Sequence, residues 1–175
     1  MVKSWAAIGA MLISIGMATP AFAYGGGMGG GAGGGAAGLA ALQSQLHLAT
    51  HDVEAVKRAQ EAIDFKEWDE AILILTDLTG RFAANADLEN MLGFSYRMSG
   101  HYQEAFRHYD KALMLDPKHK GALEYEGEAY LETNQLPRAE TNLTSLQAAC
   151  GGQACQEYAL LRGAIDKYKA KARIN

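Results

Sequence analysis

Charge is almost absent from the start of this 175-residue chain: Lys3 is the only Lys, Arg, Asp or Glu before Asp52. Proline is scarce, with three in the chain, and only Pro117 and Pro137 lie beyond residue 38. Little there interrupts a helix. No apolar run approaches the about 20 residues that a membrane-spanning helix needs, which excludes a multi-span membrane protein. Acids outnumber bases for a formal charge of −4, which argues against nucleic acid as the partner. There is no P-loop, nucleophile elbow, His-Glu-x-x-His pair or zinc-type cysteine cluster, so no catalysis and no cofactor or metal are expected. The five histidines are His47, His51, His101, His108 and His119. His47 and His51 can share a helical face, but two ligands without a third make a poor zinc site. Solvent exposure is the expectation for all five.

Glycine, by contrast, is abundant. Ten of the 20 glycines fall between Gly25 and Gly38, among alanines and Met28. Residues 24–38 therefore read as a flexible linker with too little side chain to offset the entropy of ordering. As a random coil, Gly25–Gly38 would span about 20 Å. Residues 1–23 in front of it have the features of a secretory signal peptide. Lys3 supplies a short basic start, Trp5–Met17 the apolar stretch, and Ala21-Phe22-Ala23 the small residues of a cleavage site. Cleavage after Ala23 is expected to deliver the chain to the periplasm or outside the cell, with no stable membrane insertion.

Residues 39–175 read as one all-α domain. Apolar residues follow helical spacing, and the segment aligns with itself at one fixed offset. Ala71, Ala105 and Ala139 coincide, as do Trp68, Tyr102 and Leu136, then Leu75, Tyr109 and Leu143. In the preceding helix Ala62, Tyr96 and Tyr130 coincide, with Ala59, Gly93 and Gly127. Gly93 and Gly127, placed inside helices where glycine costs about 1 kcal/mol, suit close approach of a neighbouring helix. Gly100 suits a left-handed helix end, and Asp116-Pro117 separates two units. A period of about 34 residues with two helices per unit resembles the tetratricopeptide repeat family, and Ala86–His119 matches it best. The expected units are about 52–85, 86–119 and 120–150, with a capping helix at about 155–170. In that last helix Tyr158, Leu161, Ile165 and Tyr168 form the apolar stripe and Arg162, Asp166, Lys167 and Lys169 the solvated surface. Upstream, Leu39, Leu42, Leu46, Ala49, Val53, Val56 and Ile63 suit an extra helix packed on the first unit. The same stripe also suits a coiled-coil dimer, so a structural protein acting by self-association is the alternative reading.

Cys150 and Cys155 flank two glycines between the last unit and the capping helix. In an oxidising compartment a pair this close reads as a disulfide; redox catalysis, the alternative, usually uses Cys-x-x-Cys.

The family resemblance implies a non-catalytic scaffold that binds a protein or peptide along a concave groove, lined by the first helix of each unit. Carried onto this sequence, the middle unit presents Asp87, Asn90, Phe94, Arg97 and Met98. The third presents Gly121, Glu124, Glu128, Leu131 and Glu132, and the first Val53, Val56, Gln60, Ile63 and Asp64. Glu124, Glu128 and Glu132 stack on one side of a helix at a cost of a few tenths of a kcal/mol per pair, which suggests docking of a basic segment. A solvated face is the plainer reading of such a run. Asn90 and Arg97 lack the paired lysines of the family's clamp for a terminal carboxylate.

Overall fold

The computed structural model describes residues 50–152 and 155–173, with Thr50 and His51 described by their backbone only. The expected signal peptide, the glycine linker, the helix from Leu39 and His47 lie outside that range. The described residues form seven helices and no strand: α1 Thr50–Asp64, α2 Trp68–Arg81, α3 Ala86–Met98, α4 Tyr102–Leu115, α5 Lys120–Glu132, α6 Leu136–Ala149 and α7 Gln156–Ala172. The first six pair as three helical hairpins, and α7 closes the stack against α5 and α6. The second helices start at Trp68, Tyr102 and Leu136, which is the sequence period made physical.

The turn inside each hairpin repeats with the same fidelity. Lys66, Gly100 and Asn134 all adopt left-handed backbone, with φ of 62°, 83° and 60°. At each, the left-handed residue donates its N–H three residues back, and the next residue donates five back: Gly100 to Arg97 and His101 to Tyr96, for example, at 2.9 and 2.8 Å. This is a Schellman end, which satisfies the last helix carbonyls. Gly100 was legible from sequence; Lys66 and Asn134 hold the conformation despite their Cβ atoms.

The starts of α3 and α5 are also equivalent. Asn85 Oδ1 accepts from the Leu88 N–H at 2.7 Å, and His119 Nδ1 accepts from the Ala122 N–H at 3.0 Å. A histidine therefore does the work usually given to Asn, Asp or Ser. Its other nitrogen, Nε2, lies 2.9 Å from Asp87 Oδ1 and donates to it. This corrects the expectation of exposure: His119 is buried. His108 is half-buried, its Nδ1 2.7 Å from Glu89 Oε2 and its ring stacked on Tyr96. Only His101 of the three is exposed.

Gly93 and Gly127 share a repeat position but meet different neighbours. A Cβ on Gly93 would lie 2.8 Å from the ring of Tyr109 on α4 and 3.3 Å from the Ala105 carbonyl oxygen. On Gly127 it would lie 2.6 Å from a methyl of Leu161 on α7. Tyr109 is fully buried and its rigid ring cannot fold aside, whereas leucine methyls can rotate. Gly93→Ala is therefore expected to destabilise by about 1–3 kcal/mol from overpacking, even after its gain in helix propensity. Gly127→Ala should cost less, within about 1 kcal/mol of the parent. Urea unfolding midpoints check the order; equal losses would show that the two approaches are equally rigid.

The disulfide between Cys150 and Cys155 joins the end of α6 to the start of α7, with 5.9 Å between Cα atoms. Gly151 and Gly152 carry the left-handed turn, with φ of 69° and 79°. Leu161 and Ile165 of α7 are buried against Leu123, Leu131 and Leu146, and Tyr158 and Tyr168 are half-buried beside them. Lys169 pairs with Glu140 at 2.5 Å, and the Tyr168 hydroxyl donates to Asn134 Oδ1 at 3.2 Å.

Candidate functional site: the inner groove of the helical stack

In the described stack, α3 touches α5 and α5 touches α7, whereas no comparable contact joins α2 to α4 or α4 to α6. The first helices are thus nearer one another than the second helices are, so the stack curves with α3, α5 and α7 on its inner side. The candidate residues sit on that row, and Arg97 organises them.

Arg97 projects from α3, with its side chain only 3% exposed. Its Nη1 is 2.8 Å from Glu128 Oε2 and also donates to the Tyr125 carbonyl at 3.3 Å. Its Nε lies 3.4 Å from Glu132 Oε2, an ion-pair contact without hydrogen-bond geometry. The guanidinium lies over the rings of Phe94 and Tyr125, at 5.7 and 5.8 Å. Those rings pack at 4.9 Å, and Phe94 meets Trp68 edge-on. Burial alone would weaken the Arg97 charge; Tyr109, Glu128 and Glu132 outweigh it and hold the guanidinium ionised more firmly than usual. Two of the three stacked glutamates therefore have a cation from the neighbouring helix, which offsets their mutual repulsion.

Glu124 does not share that pairing. It is 3% exposed, and its Oε2 has no hydrogen-bond partner. Burial, reinforced by Glu128 and Glu157 and opposed by Arg97, pushes its carboxyl up to about 8. Glu132, nearer solvent, is also raised, by burial first, with Arg97 pulling the other way. Asn90 occupies the same repeat position on α3 as Glu124 on α5. It is 1% exposed, and its Oδ1 is likewise unpartnered.

Arg97, Glu128, Leu131 and Glu132 line one face of an open cleft of about 610 Å³; Asn134 and the α7 residues Ala164, Lys167, Tyr168, Lys171 and Ala172 complete it. Asp87 is engaged instead with His119, and Phe94 is buried under the Arg97 guanidinium. Of the first-unit positions, Val56 is in the core, and Gln60 donates to Asp64 at 2.8 Å. Sequence reasoning missed the α7 wall and Tyr125. Lys167 reads from sequence as part of a solvated surface, and Lys171, four positions on, was not singled out. The available signal was that Ala164, Tyr168 and Lys171 follow the same three-and-four spacing beside the buried stripe.

Among the described residues, no group of three or more His, Cys, Asp or Glu is arranged to hold a metal. No described helix is long and apolar enough to cross a membrane.

Residues 86–119 match the family model described as tetratricopeptide repeat. Comparison with the curated proteins gives no match. Among solved structures, the Sgt2 tetratricopeptide domain from Aspergillus fumigatus superposes with a TM-score of 0.63 at 19% identity, covering 71% of this chain and 81% of that one. The Yersinia enterocolitica type III secretion translocator chaperone SycD gives 0.63 at 17% identity, over 81% of this chain and 97% of that one. PcrH, in complex with the chaperone-binding region of PopD, gives 0.60 at 22% identity, over 73% and 97%. With the repeat period, the three equivalent hairpins and the curved inner row, the described residues have the fold of a tetratricopeptide-repeat solenoid, and residues 86–119 carry the repeat's sequence.

Proposed function

We propose that this chain is a non-catalytic adaptor that holds a segment of a partner protein in its inner groove, in the periplasm or outside the cell. The observation that carries the reading is the cleft between α5 and α7, where buried Arg97 anchors one wall and Tyr168, Lys167 and Lys171 form the other. A groove with a rigid charged floor and a mixed rim suits an extended or helical segment. PcrH, a solved relative in fold, is seen with a segment of PopD, which supports a peptide-binding use of the same architecture. The export reading draws support from the expected signal peptide and from the Cys150–Cys155 disulfide, a bond that persists in oxidising compartments.

Position-specific photo-crosslinking tests the groove. A photoreactive residue at Glu132 or Lys171 should give partner adducts in cells. One at Leu73 or Met114, on the outer helices α2 and α4 and 67% and 82% exposed, should give none. Adducts from the outer positions alone would overturn the groove reading. Concentration-dependent sedimentation of the mature chain with adducts only to itself would favour the self-association alternative.

A further inference from the structure

We propose that the cleft between α5 and α7 selects an acidic segment of its partner, seating two carboxylates one helical turn apart against Lys167 and Lys171. The inference rests on the groove reading above and names the chemistry that the groove selects.

The first support is which charges in the cleft are left over. Its charged lining residues are Arg97, Lys167 and Lys171 on one side of the balance and Glu128 and Glu132 on the other. Both glutamates are taken by Arg97, at 2.8 and 3.4 Å. Glu124, the third of the glutamate row, is buried and does not line the cleft. The row that suggests a basic segment in the sequence is thus met from inside the protein at two of its three members. The two lysines are not. Both are exposed, and neither has an ion-pair partner among the described residues. No acid lies three or four positions from either on its own helix, and at four positions apart the two ammoniums repel each other. Lys169, between them, turns to α6 instead and pairs with Glu140 at 2.5 Å. Attraction to the helix C-terminus accounts for Lys171 in the last turn, but not for Lys167.

The second support is the shape of that wall. Ala164, Lys167, Tyr168, Lys171 and Ala172 all line the cleft, and their three-and-four spacing makes them one continuous face of α7. Ala164, Tyr168 and Ala172 form a seam met across the cleft by Leu131 of α5, and the lysines flank it. Four residues of helix rise place the two lysines about 6 Å apart along the axis. That matches carboxylates at i and i+4 of a helix lying along α7, with its apolar side covering the seam. One guanidinium against two glutamates leaves the α5 wall with negative charge, which turns the partner's acids towards α7. Complementarity of this kind sets register and rejects segments of the wrong sign.

Calorimetry on the full chain tests this with three probes. Each is a capped, alanine-rich, helix-forming peptide with leucines along one side and two variable positions four residues apart, filled by glutamate, glutamine or lysine. At low salt the glutamate peptide should bind about tenfold more tightly than the glutamine peptide, and the lysine peptide most weakly. Raising the salt to about 0.5 M should shrink the difference, because exposed charges are screened. Lys167→Gln with Lys171→Gln should bring the glutamate preference within about twofold, and Lys167→Glu with Lys171→Glu should hand it to the lysine peptide. Arg107→Gln with Lys118→Gln, both outside the cleft, should leave it unchanged. Equal binding of the glutamate and glutamine peptides would overturn the acidic site while leaving the groove standing. So would tightest binding of the lysine peptide to the parent, or a glutamate preference that survives loss of both lysines. No binding of any of the three would overturn both readings.

Discussion

Arg97→Met is expected to lower unfolding stability by about 2–4 kcal/mol, because breaking a buried pair by removing one partner leaves the other charge behind unpaired, typically at a cost of about 3–5 kcal/mol. Here the penalty is moderated, since the Glu128 and Glu132 side chains are 25% and 40% exposed and recover some hydration. The loss comes from those two carboxylates, from the Tyr125 carbonyl that Nη1 satisfies, and from the contacts over Phe94 and Tyr125. Arg97→Lys should lose roughly half as much: it keeps a charge but cannot reach both glutamates and lie over the rings. Combining Arg97→Met with Glu128→Gln and Glu132→Gln should recover most of the stability, because no uncompensated charge remains. Urea unfolding of the disulfide-intact protein measures all three. If Arg97→Met behaves like an ordinary surface substitution, with a loss within about 0.5 kcal/mol, Arg97 is not the organising group of the groove. The same conclusion follows if the triple variant is worse than the single.

The contrast with the sequence reading is clearest at this residue. The repeat was legible because it is written in residues that cannot be moved without loss: small Ala105 and Ala139 where helices cross, Gly93 under the Tyr109 ring, and Pro117 between units. Each meets its requirement through local geometry or packing, so laying the chain on itself exposes it. Register also placed Arg97, Glu128, Leu131 and Glu132 together, and the structure puts them around one cleft. What register could not supply was pairing between units. That Arg97 would reach Glu128 and Glu132 in the next unit depends on how far one hairpin turns on the next. The His119 cap was hidden for another reason. Histidine is an unusual N-cap residue, and its exposure could be corrected only once Asp87 and the Ala122 N–H were seen on its two nitrogens. The α7 wall was read as mere closure because a terminal helix in a repeat stack must present a polar face. Leu161 falls one repeat period after Gly127, and α7 continues the inner row beyond α5.

The folded chain should lose stability as pH rises from about 5 to 8.5, and Glu124→Gln should remove a large part of that loss. The sign follows from proton binding. The Glu124 carboxyl titrates at about 8 in the folded protein against 4.5 for the ordinary group. Between those values the folded state holds a proton that the unfolded state has released, so stability falls with rising pH. Glu126 and Glu132 are displaced in the same direction, chiefly by burial, so some slope should survive in the variant. Glutamine has nearly the shape of the protonated acid and cannot ionise. Near pH 4.5 the variant and parent should therefore differ little. At pH 8.5 the variant should be more stable by on the order of 2–4 kcal/mol. Denaturant unfolding at half-unit pH intervals gives the difference curve directly. A difference that stays flat across the window would mean that Glu124 titrates normally and that its environment is wetter than its burial indicates. A difference that opens from about pH 5 and levels off above about pH 8 would place beside the groove of the free protein a carboxyl held in its acid form, because burial and the neighbouring carboxylates outweigh Arg97 there.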